Sequence, residues 1–190
     1  MNMNPKDIIG PTAVLVGVCL VFTAAVVGTN SLTAEKIAVL NQQTADEAKM
    51  EVLPEADSFS TETVSISAGD VEYYAAANGA GYVFNTSYKG YGGAVGVMTG
   101  ISADGEITGV KVVDCNETPG LGMKAQSDPS FTAQYVMAIP DGNTFEVTKT
   151  GKTAENQIDA ISGATITSRA VTNSVNYAIE AYQQITGGAN

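Results

Sequence analysis

The sequence predicts an α+β protein: an N-terminal apolar helix and stalk, then a folded domain with a mainly antiparallel sheet and flanking helices. Three observations carry this. Residues Ile8 to Thr29 contain no charged side chain. Between Thr63 and Val113, short runs of β-branched and aromatic residues alternate with glycine-rich turns. Near the C-terminus, Val171, Val175, Ile179, Tyr182 and Ile185 recur every three or four residues, the spacing of a buried helical stripe.

The first element is the apolar run. A helix needs about 20 apolar residues to cross a hydrocarbon layer of about 30 Å, and "IIGPTAVLVGVCLVFTAAVVGT" is long enough. A cleaved signal peptide would have a shorter apolar region, a basic start and an A-x-A-like site. Here Lys6 is the sole basic residue ahead of the run, and the small-residue pairs near Ala24 and Gly28 are poor sites. A lipoprotein box at Cys19 would need a small residue where bulky Val18 stands. The run therefore reads as a retained anchor.

Lys6 favours a cytoplasmic N-terminus. The expected organisation is a cytoplasmic leader (1–7), a transmembrane helix (8–29), a helical stalk (30–51) and an extracytoplasmic domain (52–190). In the stalk, Ile37, Leu40, Ala45 and Ala48 recur among polar residues, and Pro54 closes the segment. Ser31 or Thr33 is suited to cap a new helical start.

Composition limits the chemistry. A chain of 190 residues can form one core of ordinary size plus an appendage. Its net charge of −11, from Lys+Arg 9 against Asp+Glu 20, repels phosphate backbones and argues against nucleic acid as a partner. With no His and only 2 Cys, the usual zinc and Cys-ligated iron–sulfur sets cannot be assembled from this chain alone. Ser-His-Asp and Cys-His catalytic arrangements are excluded for the same reason. Cys19 lies in the apolar run and Cys115 far along the chain, so no disulfide between them is expected. Redox chemistry would have to come from a cofactor or a partner.

In the domain, "EYYAAA" and "YVFNTSY" flank "NGAG", and "AVGVMTGI" and "EITGVKVV" flank "SADG"; both read as hairpins. Val95, Val97, Thr99 and Ile101 share one face of their strand, which predicts an antiparallel meander with one buried face. "GYGGAVG" lies between strands and lacks the strand–turn–helix setting of a dinucleotide fingerprint. "DCNETPGLGMKAQSDPSF" is loop chemistry, with Pro119, Gly120 and Gly122 fixing and permitting turns. A short helix opening with Asp-Pro is expected from Asp128 to Met137, and "TFEVTKT" reads as a strand.

The last helix begins near Thr165, preceded by Ser162, Gly163 and Ala164. A helix N-terminus presents unpaired N–H groups and a positive dipole end, and small residues let an anion such as phosphate approach the main chain. On local pattern alone the commoner reading is plainer: Thr165 or Thr167 is an N-cap and the small residues make a turn.

"DAISGAT", Asp159 to Thr165, resembles the flavinylation motif of the FMN-binding domain family: Asp, two variable residues, Ser or Thr, Gly, Ala, then Thr or Ser. The resemblance implies FMN joined through its phosphate to the hydroxyl of Thr165 by a flavin transferase of the ApbE type. Asp159, Ser162, Gly163 and Ala164 would be recognition and packing residues. "ETPGLG", Glu117 to Gly122, resembles a second hallmark of that family. It implies that Glu117, Thr118 and Leu121 line the flavin pocket, and that the turn backbone, with Gly120 and Gly122, contacts the isoalloxazine or ribityl chain.

Motif order, chain length and the single apolar helix are similar to the RnfG family, the membrane-anchored flavoprotein subunits of the Rnf complex. NqrC proteins resemble it too but are generally longer. The resemblance implies an electron-carrying redox subunit of an ion-translocating ferredoxin:NAD+ oxidoreductase, partnered by other membrane and peripheral subunits and with no complete catalytic site of its own. The alternatives are an NqrC-like or free-standing extracytoplasmic flavin carrier and, in another class, a pilin-like or adhesive surface protein without flavin. One position departs from the family: where relatives often carry His, this chain has Cys115, so that histidine's role is not carried over; a thiol near a flavin is either reactive or, the commoner reading, simply packed.

Overall fold

In the computed structural model, which describes residues 5–187, the chain divides into two units, Met1–Gln43 and Thr44–Asn190. Residues 1–4 of the expected leader lie outside the described residues. Helix α1 (Pro5–Val52) runs through both the apolar stretch and the stalk. Its Ile9–Ala34 portion is long and apolar enough to cross a bilayer.

The fresh helical start expected at Ser31 or Thr33 does not occur. The Ser31 hydroxyl donates to the Gly28 carbonyl (2.9 Å) and that of Thr33 to the Thr29 carbonyl (3.0 Å). A hydroxyl that finds an acceptor one turn back is satisfied inside the helix and does not interrupt it. The helix stops where expected from Pro54: Leu53, the residue before the proline, is the first outside it.

The sheet contains β1 (Phe59–Ile66), β2 (Gly69–Ala76), β3 (Gly81–Lys89), β4 (Ala94–Ser102) and β5 (Ile107–Cys115), antiparallel neighbours in chain order. The two predicted hairpins are β2–β3 and β4–β5. Gly79 (φ +74°) and Gly105 (φ +83°) supply the left-handed positions of their turns. β1 begins ahead of the predicted start of the strand region at Thr63.

Helix α4 (Thr165–Thr186) covers one face. Val171, Val175 and Ile179 are fully buried in one cluster with Phe84, Val95, Val97 and Ile101, each such aliphatic side chain contributing about 1.5–3 kcal/mol. Ala170, Ser174, Ala178 and Ala181 are equally buried, and their small size lets the helix lie close. The Thr86 hydroxyl reaches the Ser174 carbonyl at 2.9 Å.

The expectation of a sheet buried on one face is corrected. On its other side, Ala48, Val52, Leu53 and Ala56 form a second core cluster with Tyr74, Ala76, Val83 and Met98. Gly109 makes this possible, since a Cβ there would lie 2.8 Å from the Val52 Cα. The Thr108 hydroxyl donates to the Val52 carbonyl, one of the last carbonyls of α1.

Beyond β5 come α2 (Lys124–Ser127), α3 (Pro129–Thr132) and a 3-10 turn, Ala133–Tyr135. Asp128 caps α3, accepting from the Ser130 amide (3.0 Å) and hydroxyl (2.6 Å), and these bonds hold its carboxyl below the usual range. The helix expected over 128–137 is shorter because Tyr135 turns into the core, packing edge-on against Phe131 and Phe145 and hydrogen-bonding Thr172 at 2.7 Å. Only three residues of "TFEVTKT", β6 (Glu146–Thr148), are strand, paired in parallel with β7 (Gln157–Asp159), which leads into α4.

Candidate functional site

Three segments distant in sequence meet beside the N-terminus of α4. They are the turn between β3 and β4 at residues 90–93, the loop after β5 at residues 116–123, and the turn at residues 161–164. Between them lies a cleft of about 460 Å³.

Glu117 ties the first two of these to the first turn of α4. The residue is only 6% exposed. Its Oε1 accepts from the backbone amides of Tyr91 (2.8 Å) and Gly92 (3.2 Å), and its Oε2 accepts from the Thr167 hydroxyl (3.1 Å). A buried carboxylate with this many donors is well satisfied, and each bond is charge-assisted. Gly122 lies against this clamp, because a Cβ there would sit 2.7 Å from both the Glu117 Cβ and the Thr167 hydroxyl oxygen.

The turn into α4 is equally fixed. The Ala164 amide donates to the Ile161 carbonyl (2.9 Å), and the Ile161 amide to the Ser168 hydroxyl (3.0 Å), which itself donates to the Ala164 carbonyl (3.0 Å). Gly163 has φ +78°, a conformation that favours glycine, and a Cβ there would lie 3.1 Å from Leu121 Cδ2. No side chain caps the helix at Ala164, and its first turn holds no acidic residue. The first-turn amides and the positive dipole end are thus left for an anion. Thr165 is half-buried and lines the cleft, and its hydroxyl has no hydrogen-bond partner among the described residues. The hydroxyl of Thr167, by contrast, is committed to Glu117.

Of the residues singled out in the sequence, Glu117, Thr118, Leu121, Gly122, Gly163, Ala164 and Thr165 line the cleft. Gly120 (φ +77°) shapes the turn in which the Leu121 and Met123 amides both return to the Thr118 carbonyl. Asp159 is exposed at the end of β7, its backbone amide held by Gln134 at 2.8 Å, and Ser162 is exposed on the turn; neither lines the cleft. Cys115 packs on the core with its Sγ 4.0 Å from the Gly122 carbonyl. Burial, and then the neighbouring Glu117 charge, push its thiol up, so it stays protonated at neutral pH.

Tyr91, Ile166 and Thr167 also line the cleft. Their sequence signals are faint: a lone aromatic among glycines, and an alternation at a helix start that capping alone explains.

The FMN-binding domain family matches residues 90–180, a stretch containing all three segments. The chain is 38% identical to the RnfG subunit of the Na(+)-translocating ferredoxin:NAD(+) oxidoreductase complex of Acetobacterium woodii, over 91% of this chain and 90% of that relative. It is 41% identical to the RnfG subunit of the proton-translocating complex of Clostridium ljungdahlii, over 63% of this chain and 64% of that relative. Among solved structures, the NqrC subunit of the Na(+)-translocating NADH-quinone reductase of Parabacteroides distasonis is similar in fold. Its TM-score is 0.51 at 26% identity, covering 64% of each chain.

Proposed function

The chain belongs to the RnfG family of the ion-translocating ferredoxin:NAD(+) oxidoreductase (Rnf) complexes, and from that premise we propose that it carries electrons through an FMN bonded to Thr165 by a phosphoester. The observation that carries the reading is the pairing of a free Thr165 hydroxyl with an uncapped helix N-terminus in one cleft.

The residues present fit the group. The first-turn amides of α4 suit a phosphate, and Gly163 brings no side chain to screen them. Thr165 rather than Thr167 offers the ester oxygen: Thr167 is 2% exposed and bonded to Glu117, whereas Thr165 opens on the cleft. Bound FMN supplies the electron-transfer chemistry, and the protein supplies placement and electrostatics. Glu117 keeps the cleft walls in register. Its carboxylate and the chain's net charge of −11 oppose added negative charge in the cleft, which favours a low potential. A covalent tether also removes dissociation, so the site can stay shallow and leave an edge open to protein partners.

In this reading Ile9–Ala34 spans the membrane, with Lys6 on the cytoplasmic side and the domain outside. The other Rnf subunits are its electron-transfer partners, and an ApbE-type transferase loads it. Identity to RnfG relatives over nearly the whole chain favours this over an NqrC-like carrier.

The test is a denaturing gel viewed under ultraviolet light after coexpression with the transferase. The wild-type band is expected to fluoresce through denaturation, with the adduct on the peptide bearing Thr165. A dark wild-type band beside an active transferase would sink the proposal.

A further inference from the structure

We propose that Tyr91 is a flavin-positioning residue: its ring forms a wall against which the isoalloxazine packs, and Glu117 fixes that wall by holding the Tyr91 backbone. This rests on the reading of the cleft as the FMN site.

The turn carrying Tyr91 is stripped of other side chains for a steric reason. The Gly90 amide donates to the Gly93 carbonyl at 2.7 Å, closing the turn. A Cβ on Gly90 would collide with Glu117 Oε1 and approach Val95 Cγ2 to 2.9 Å, and one on Gly92 would collide with the Asn116 carbonyl. The turn therefore lies directly on residues 116–117. The one side chain it carries there, Tyr91, lines the cleft and is 74% exposed.

A surface turn has no need of an aromatic residue, since polar and small residues make turns well. Around the same cleft, Leu121 is 45% exposed and Ile166 52%. Three large apolar side chains are thus left open around one concavity, while its carboxylate and the Thr167 hydroxyl satisfy each other. Such a site accepts a ligand with an aromatic ring system at the apolar walls and an anion at the α4 terminus. The hydrogen bond from the Tyr91 backbone N–H to Glu117 fixes the backbone that carries the wall before any ligand arrives, which is preorganisation of the turn.

The experiment uses the full chain coexpressed with the flavin transferase, as wild type, Tyr91→Leu and Tyr91→Trp. Two quantities are read: flavin per chain after denaturation, and fluorescence of the folded protein per bound flavin. An electron-rich aromatic ring in contact with isoalloxazine quenches its emission. Wild type and Tyr91→Trp are expected to be strongly quenched. Tyr91→Leu is expected to carry the same flavin and to emit several-fold more. Because the side chain is exposed, the thermal midpoint should not move. A fully loaded Tyr91→Leu chain as dark as wild type would overturn the proposal. Absence of flavin from wild type would instead overturn the underlying reading, and the proposal with it.

Discussion

Two clefts on the domain differ in what holds their walls. The larger, about 720 Å³, lies between residues 137–141 and 152–155. Its charged groups, Asp141, Lys152 and Glu155, are all exposed, and the side-chain bonds nearby, such as Thr153 to Gln157 at 2.9 Å, are between solvated groups. The smaller, about 460 Å³, is built round a buried carboxylate that ties three chain segments together, with a free hydroxyl and an uncapped helix beside it. Volume alone would select the larger one. Fixed, desolvated polar groups beside unsatisfied ones distinguish a site from a gap between loops.

The sharpest way to break this contrast is to remove the free hydroxyl. Thr165→Ala is expected to abolish the denaturation-resistant flavin band, whereas Lys152→Ala and Glu155→Ala in the larger cleft should leave it intact. Because the Thr165 hydroxyl bonds to nothing among the described residues, stability should move by no more than about 0.5 kcal/mol. A persistent band in Thr165→Ala, or an adduct on Thr167, would show that the hydroxyl assignment is wrong.

The next effect probes the packing behind the clamp. Gly122→Ala places a Cβ 2.7 Å from both Glu117 and Thr167, so one of them must shift. Overpacking of this kind costs about 1–3 kcal/mol. Thermal denaturation should register the loss, and flavin loading should fall with it. An unperturbed midpoint would mean that the clamp is looser than its distances imply.

Part of this architecture is legible in the sequence. The turn before α4 can be placed because small residues precede a clear helical stripe from Val171 to Ile185. The hairpins can be placed because Gly79 and Gly105 mark their turns. Local patterns do not show that Glu117 bonds to Thr167, 50 residues away. They do not show that Gly109 is small because the end of α1 rests on it, and the three-residue β7 is too short to carry a period. Ser31 and Thr33 are ambiguous for a chemical reason: the same hydroxyl can cap a helix or bond back into one. Tyr91 reads as part of an ordinary turn, and only the contact of that turn with residues 116–117 sets it apart.

A gentler test of the clamp is Thr167→Val. It keeps the shape and removes the donor to Glu117 Oε2, leaving that buried oxygen short of a partner. The expected cost is about 1–2 kcal/mol. Thr153→Val, at an exposed position in the larger cleft, should change stability by no more than about 0.5 kcal/mol. Equal effects at the two positions would erase the distinction between a fixed wall and a solvated one.

The smallest expected effect has the opposite sign and comes from a polar group with no site to serve. Thr99 in β4 is fully buried, and its hydroxyl is an unpartnered buried side-chain polar atom among the described residues. It shares the sheet face of Val97 and Ile101, under α4, away from both clefts. An unsatisfied buried hydroxyl is a cost with nothing to offset it, and valine has nearly the same shape and a higher strand preference. Thr99→Val should therefore stabilise the domain by about 1 kcal/mol. The urea midpoint should rise with an unchanged slope, while flavin loading stays at the wild-type level. Destabilisation would mean that the hydroxyl has a partner, such as a buried water, and that the core under α4 contains a polar contact of its own.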